Sequence, residues 1–121
     1  IIQPDILLAF SQSTYDTDAE KIDPKKGLIL YDQQLIKIAQ LPETRHLAVP
    51  AADISIKIVG HDQSANMVML GAFVGATRIA SEESLLKAVE QYSSLNFQKQ
   101  NIEAVQAGVN LGADSIKGDE R

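Results

Sequence analysis

The sequence predicts an α/β domain with a mostly parallel sheet and flanking helices, on the strength of three observations. Short apolar runs of strand length alternate with helical segments, an order that favours right-handed parallel crossovers. The apolar residues are mostly Ile, Leu, Val and Ala, with no Trp, which suits buried strands covered by helices. Residues 66–73, the core of the segment 64–80, are apolar on nearly every side apart from Asn66, which predicts a helix enclosed by protein.

The first fifty residues predict strands separated by helical segments and turns. Ser11 to Thr14 are suited to N-cap the first helix, and Pro42 ends the second helical segment. The predicted elements are a buried strand at 5–10, a helix at 15–19, a return loop at 21–26, a strand at 27–31, a helix at 33–40 and a strand at 46–49.

The rest of the chain predicts helices. Residues 51–59 fit both a strand and a helix, and Gly60 ends this segment. Gly71 and Gly75, four residues apart on the apolar helix, allow another backbone to approach closely. Ser81 begins a helix whose apolar face is Leu85, Leu86, Val89 and Tyr92. A last helix spans 99–111, with Ile102, Val105 and Val109 inward, and Gly112 stops it.

Composition excludes several classes of function. The chain has 121 residues, which fits one domain, and a formal net charge of -5 without a run of basic residues, which disfavours nucleic-acid binding. It has no Cys, so it cannot supply thiolate ligands to an iron–sulfur cluster. The apolar run in 64–80 ends at Thr77 and Arg78, too short to span a bilayer, and no secretory signal is present, so we expect a cytoplasmic protein without membrane contact.

Common ligand-binding and catalytic patterns are absent or weak. There is no G-x-G-x-x-G or Walker loop. Asp32, at the end of the second strand, is better explained as a turn or capping residue than as a ribose-binding acid. His61, Asp62 and Ser64 are too close in sequence to form a relay, and the only other histidine, His46, is too far away to complete a metal site. We predict no catalytic residue and no metal site.

Three polar residues are candidates for cofactor binding. Ser11 and Gln12 follow the first strand, at the carboxyl edge where open α/β sheets gather ligands. Capping of the next helix by Ser11 or Ser13 is the favoured explanation of these hydroxyls. Asn66 heads the apolar helix, where a buried amide would need partners within the chain or across a subunit boundary.

Four segments resemble the gamma subunit, or gamma domain, of the 2-oxoacid:ferredoxin oxidoreductases, which oxidise pyruvate, 2-oxoglutarate or related acids to acyl-CoA. They are P-D-I-L-L-A-F-S-Q at 4–12, G-L-I-L-Y-D at 27–32, A-N-M-V-M-L-G-A at 65–72 and N-I-E-A-V-Q-A-G at 101–108. The resemblance implies a three-layer, Rossmann-like fold and favours a helix at 51–59. It identifies 1–112 as a partial gamma-type domain and leaves 113–121 as a polar tail.

The family domain begins with a glycine-rich strand, turn and helix that this chain lacks, and the chain has no initiator Met, so we read it as an excerpt. The resemblance implies a complex with thiamine diphosphate, iron–sulfur clusters and coenzyme A, none of the three held by this chain. Its partners would be alpha, beta and ferredoxin-like delta subunits, with ferredoxin as acceptor. The role implied is architectural, with coenzyme A contact left open.

Two other functions remain open at this point. One is a stand-alone Rossmann-type module that binds coenzyme A or a nucleotide. The other is a structural interaction domain without a ligand.

Overall fold

The computed structural model describes residues 5–39 and 43–119. Packing divides the chain into two compact units, residues 1–50 and 51–121, which are described in turn. Among the described residues, the first unit contains the sheet and one short α-helix, and the second contains four α-helices. The predicted ends at Gln40 and Pro42 lie outside the described residues.

The sheet of the first unit has three parallel strands, β1 (Ile6–Ala9), β2 (Leu28–Tyr31) and β3 (Arg45–Ala48), in that spatial order. The central residue Leu30 of β2 pairs with Leu8 on one side and with Leu47 on the other. β2 is buried along most of its length. β1 is only half-buried apart from Ala9, because in the described part of the chain it pairs with β2 alone. The prediction of a buried first strand is therefore met only at Ala9.

The first helix, α1 (Gln12–Asp18), begins directly after Ser11, earlier than the predicted start at residue 15. The Ser11 hydroxyl accepts the Thr14 N–H at 3.2 Å, which satisfies one of the unpaired donors at the helix start. A single 3₁₀ turn at Ala19–Lys21 follows. The core of this unit is formed by Ala9, Tyr15, Ala19, Ile22, Ile29 and Ile36.

The return loop is held by one carboxylate. Asp23 Oδ1 accepts the N–H groups of Lys25 at 2.9 Å and Lys26 at 3.3 Å. The N–H of Lys25 and then that of Lys26 hold the pKa of the Asp23 carboxyl below its usual value. A depressed carboxyl pKa stabilises the native state at neutral pH, and this contribution is lost as the pH falls through the pKa of Asp23.

Residues 33–39 form turns and irregular backbone, so the predicted helix at 33–40 is wrong. The Asp32 carbonyl accepts the N–H groups of Leu35 and Ile36, both at 3.0 Å, but the helix does not continue. Instead, the Gln12 amide donates to the Lys37 carbonyl at 3.0 Å and accepts the Lys37 N–H at 2.8 Å. Two bonds to a distant side chain replace those that a helix would have made.

A buried hydroxyl fixes the end of the same loop. Tyr15, 1% exposed, accepts the Ala39 N–H at 3.0 Å, and its oxygen lies 2.9 Å from His46 Nε2. The Thr44 carbonyl can only accept, and it lies 3.0 Å from His46 Nδ1, so Nδ1 carries a proton. In the neutral ring, Nε2 then accepts from the Tyr15 hydroxyl. This chain of bonds joins α1, the loop and the start of β3.

The second unit is built from α2 (Ala51–Val59), α3 (Ala65–Thr77), α4 (Glu82–Tyr92) and α5 (Gln98–Asp119). The helix at 51–59 is confirmed. Gly60, with φ at +87°, ends it, as predicted, because glycine adopts this conformation without strain. A 3₁₀ turn at Asp62–Ser64 leads into α3, whose most extensive packing is against α5.

Buried Ser55 ties α2 to that 3₁₀ turn. Its hydroxyl donates to the His61 carbonyl at 2.6 Å and accepts the Ser64 N–H at 3.1 Å. Both its donor and its acceptor capacity are used, so this fully buried side chain carries no unsatisfied polar atom.

The apolar helix α3 is enclosed only in part by this chain. Its buried residues are Val68, Met69, Gly71, Ala72, Val74 and Gly75. Met67, Leu70 and Phe73 are half-buried, and Asn66 is exposed. The expectation of an enclosed helix is met on the side that faces α5, whereas the opposite side keeps apolar surface uncovered.

Glycines on both helices allow α3 and α5 to touch through their backbones. A Cβ added at Gly71 or Gly75 would lie less than 3.0 Å from the carbonyl oxygen of Val105 or Val109. A Cβ added at Gly108 or Gly112 would come equally close to the carbonyl of Val68 or Ala72. The close approach predicted for Gly71 and Gly75 is therefore confirmed, and its partner is a second pair with the same spacing.

This contact explains why Gly112 does not stop the last helix. α5 continues to Asp119, so the predicted end near Leu111 is wrong. Gly112 serves the packing against Ala72 rather than a helix end. The assignment of 1–112 as the family domain, with a tail after it, remains a prediction.

Three residues mark the end of α3 and the two ends of α4. Ser81 caps α4 by accepting the Ser84 N–H at 3.0 Å, as predicted. Tyr92 was predicted to point inward but is 83% exposed, because it is the last residue of α4. Arg78 ends α3 in the left-handed region with φ at 54°, a conformation usually taken by glycine.

We expect Gly71→Ala to lower the free energy of unfolding by about 2 kcal/mol or more, because the opposing atoms are backbone and cannot move aside cheaply. Without the close contact, the same change would raise stability by about 1 kcal/mol through helix propensity, so the sign of the effect is diagnostic. Urea denaturation measures it. Gly60→Ala is the control, since it strains φ in open space and should cost only about 1 kcal/mol.

Tyr15→Phe should destabilise the protein by about 1–3 kcal/mol, because it leaves the Ala39 N–H and His46 Nε2 without their partner. The Ala39 amide should also exchange its hydrogen faster, measured by NMR. Tyr31→Phe is the matched control, since Tyr31 contacts His46 through its ring edge. Equal effects of the two variants would contradict the role given to the Tyr15 hydroxyl.

Candidate functional site

An open cavity in the second unit is a candidate site. It has a volume of about 520 Å³ and lies between the first turns of α3, the last turns of α4 and the start of α5. Its floor is apolar, formed by Met67, Leu70, Leu85 and Val89. A volume of this size, mostly apolar with a few polar groups, is typical of binding sites. We call it the α3–α4 groove.

Polar side chains line one side of the α3–α4 groove. Asn101 Nδ2 donates to the Ser93 hydroxyl at 3.0 Å, and the Ser64 hydroxyl donates to Asn101 Oδ1 at 3.4 Å. Asn66 Oδ1 accepts the Met67 N–H at 2.9 Å. Asn66 is exposed, and its amide nitrogen makes no hydrogen bond within the described part of the chain.

The groove is electrically neutral. Its described lining consists of amide, hydroxyl and apolar side chains and includes no Lys, Arg, Asp or Glu. Phosphate groups are commonly bound by Arg or Lys side chains, and neither residue type is among those that line this cavity. The lining therefore favours an uncharged occupant.

The three candidates from the sequence fall into two separate places. Ser11 and Gln12 lie side by side in the first unit, and Asn66 lies in the α3–α4 groove. The Ser11 hydroxyl both accepts from and donates to Thr14, at 3.2 and 3.0 Å. The Gln12 amide holds Lys37 and also donates to Asp16 at 2.9 Å. Their polar atoms are engaged, whereas the Asn66 amide nitrogen is not.

Asp32 and His61, which the sequence offered as a ribose-binding acid and a relay member, instead accept hydrogen bonds from nearby backbone N–H groups. Asp32 Oδ1 accepts the Gln34 N–H at 3.0 Å, as the turn interpretation predicts. His61 Nδ1 accepts the Gln63 N–H at 3.2 Å and caps the 3₁₀ turn. Neither ring nitrogen of His61 is bonded to Ser64, whose hydroxyl points at Asn101 instead.

Sequence reasoning missed the other groove residues. Ser93, Asn101 and Phe97 converge only because α4 and α5 meet at a short turn, which no local pattern reveals. The available signal was the cluster of Tyr92, Leu95 and Phe97 around a helix break, three large apolar residues where a turn would be polar.

Two further searches cover only the part of the chain that the structure describes. None of its helices is both long and apolar enough to cross a membrane. Its His, Asp and Glu side chains form no group of three or more that could hold a metal ion.

Comparison with known proteins gives consistent results. Residues 1–111 match the family described as pyruvate ferredoxin/flavodoxin oxidoreductase. The chain is 30% identical to 2-oxoglutarate synthase subunit KorC of Methanocaldococcus jannaschii over 116 residues, which cover 94% of this chain and 62% of that protein. This chain thus spans about three-fifths of the length of that relative.

Solved structures show the same fold. The gamma subunit of a keto/oxoacid ferredoxin oxidoreductase from Geobacter sulfurreducens matches with a TM-score of 0.85 at 28% identity, over 93% of this chain and 66% of the other. The 2-oxoglutarate:ferredoxin oxidoreductase from Magnetococcus marinus, with 2-oxoglutarate, coenzyme A and succinyl-CoA bound, matches with a TM-score of 0.76 at 24% identity, over 91% of this chain and 20% of the other.

These matches confirm the Rossmann-like α/β fold and the resemblance read from the four sequence segments. Because the family match extends over residues 1–111 of 121, it includes the sheet and nearly all of the helical unit. The chain therefore belongs to the pyruvate ferredoxin/flavodoxin oxidoreductase family.

Proposed function

We propose that this chain acts as a gamma-type subunit, or part of one, in a complex that oxidatively decarboxylates a 2-oxoacid to an acyl-CoA and passes the electrons to ferredoxin. The observation that carries the proposal is the family match over residues 1–111, supported by the 0.85 TM-score to a gamma subunit. The partners proposed are alpha, beta and ferredoxin-like delta subunits, in the cytoplasm.

The chemistry of the available side chains supports an architectural role. A chain without Cys offers no thiolate for an iron–sulfur cluster, and it has no glycine-rich loop of the types that hold phosphates. Thiamine diphosphate and the clusters would therefore belong to the partner subunits, where they supply decarboxylation and electron transfer. This chain would contribute packing surface.

The coverage of the two solved structures supports the same role. The fold of this chain corresponds to 66% of the separate Geobacter sulfurreducens gamma subunit but to only 20% of the longer Magnetococcus marinus chain. A unit that occurs both separately and joined to a larger polypeptide is suited to stable contact with other chains.

Tagging the chain in its source cell tests the proposal. We expect it to co-purify with larger polypeptides that bind thiamine diphosphate and iron–sulfur clusters. Depleting it should abolish dye reduction that depends on both a 2-oxoacid and coenzyme A, and adding it back should restore activity. Recovery of the chain alone, with coenzyme A or a nucleotide bound to it, would instead establish the stand-alone module.

A second measurement decides whether the chain contacts coenzyme A. Asn66 is the candidate with a free amide, but the neutral groove around it offers the phosphates of coenzyme A no cation. We therefore expect Asn66→Ala to leave the KM for coenzyme A within about twofold of the parent complex. Asn110→Ala, at an exposed position of α5, is the control. A rise confined to Asn66→Ala and to coenzyme A would show a direct contact.

A further inference from the structure

Both histidines of the chain accept a hydrogen bond in this fold. His61 Nδ1 accepts the Gln63 N–H at 3.2 Å, and His46 Nε2 accepts the Tyr15 hydroxyl at 2.9 Å. An imidazole that takes up a proton becomes a donor at both nitrogens, so it can no longer accept. Histidine side chains in general change charge between about pH 5 and pH 8. Each of these two bonds is therefore sensitive to acid.

The two bonds differ in their access to water. Gln63 is exposed, so its N–H can turn to solvent when His61 is protonated. His46 is half-buried, so protons can reach it, but its partner Tyr15 is 1% exposed. Loss of the bond at His46 is therefore the one that the solvent cannot compensate without a structural change.

The Tyr15 hydroxyl depends on His46 as the acceptor of its proton. The Tyr15 oxygen accepts the Ala39 N–H at 3.0 Å, and within the described residues it makes no hydrogen bond besides those to Ala39 and His46. If His46 takes up a second proton, Nε2 donates to the same oxygen, and the Tyr15 proton loses its acceptor. A buried donor without a partner is costly, so protonation of His46 works against this arrangement.

The described surroundings of His46 offer a second proton no compensating charge. The titratable groups whose rings contact it are Tyr15 of α1 and Tyr31 of β2, at centroid distances of 5.9 and 6.0 Å. Within the described residues, no carboxylate forms an ion pair with His46. Arg45 precedes His46 on β3, so its side chain points to the opposite face of the sheet. The charged residues nearest in sequence to this cluster are all exposed: Asp16, Lys37, Glu43 and Arg45.

Residues 37–39 are the part of this cluster that is free to move. Tyr15 lies in a helix and His46 in a strand. The segment 37–39 is irregular backbone, held to α1 by the side chains of Gln12 and Tyr15. Ile36, 3% exposed, anchors the chain just before it. Displacing the segment beyond that anchor lets water reach the Tyr15 hydroxyl and accept the stranded proton.

We propose that the uptake of a proton by His46 releases residues 37–39 from α1, as a pH-sensitive latch. At neutral pH the latch is closed, because the Tyr15 hydroxyl donates to His46 and accepts from Ala39. When His46 is protonated, the latch opens at residues 37–39, while the sheet and α1 stay folded. The release requires no partner subunit, so it is independent of the proposed function.

Hydrogen–deuterium exchange of the full chain, followed by mass spectrometry, tests the latch. After correction for the pH dependence of intrinsic exchange, we expect the protection of residues 37–39 to fall about tenfold between about pH 7.5 and about pH 5.5. Residues 28–31 of β2 should keep their protection and serve as the internal reference. In His46→Gln, the side-chain carbonyl accepts the Tyr15 proton and does not titrate, so residues 37–39 should stay protected at both pH values.

Two further variants complete the test. His61→Gln is the matched control, since it removes the other histidine and should retain the pH dependence of the parent. Tyr15→Phe removes the hydroxyl and should leave residues 37–39 weakly protected at both pH values.

Equal protection of the parent at the two pH values overturns the latch. So does a fall in His46→Gln as large as in the parent, or loss of the pH dependence in His61→Gln. If His46→Gln does not fold, Tyr15→Phe decides: a pH-dependent fall that persists in this variant overturns the latch, and its absence upholds it.

Discussion

The direct backbone contact between α3 and α5 is the constraint on which the second unit depends. Gly71 and Gly75 face Val105 and Val109, while the glycine pair on α5 faces α3 in return. Removing the side chains along this line lets two helices approach more closely than ordinary ridges and grooves allow. The close approach buries one side of α3 completely and fixes where α4 can pack on α5, so it also shapes the groove between them.

In the first unit, side-chain hydrogen bonds hold the irregular loop at residues 33–39. Residues 33–39 carry helical spacing, but Gln12 and Tyr15 of α1 take up the backbone groups of Lys37 and Ala39. The loop is thereby held without regular secondary structure. The same bonds occupy Gln12, one of the residues that sequence position had made a ligand candidate, and so turn a suspected binding group into a support of the fold.

Local patterns predicted most elements, and the errors have a common cause. Capping by Ser11 and Ser81 and the end of α2 at Gly60 depend on neighbouring residues alone, so the sequence reveals them. The predicted helix end at Gly112 was wrong because this glycine serves a contact with the backbone of another helix, which a local pattern does not show. The predicted helix at 33–40 was wrong because hydrogen bonds from a side chain 25 residues away hold this segment as a loop. The groove depends on which helices meet, and among its residues the sequence made only Asn66 a candidate for cofactor binding.

The reciprocal glycines also bear on how the helical unit opens. At the four glycines the two helix backbones meet directly, so neither helix can keep its packing there if the other unwinds. α3 and α5 therefore constitute one cooperative folding element rather than two independently fraying helices. Their innermost amide hydrogens would exchange with solvent only through global opening, while those of α4, which shares no such backbone contact, could exchange through smaller fluctuations.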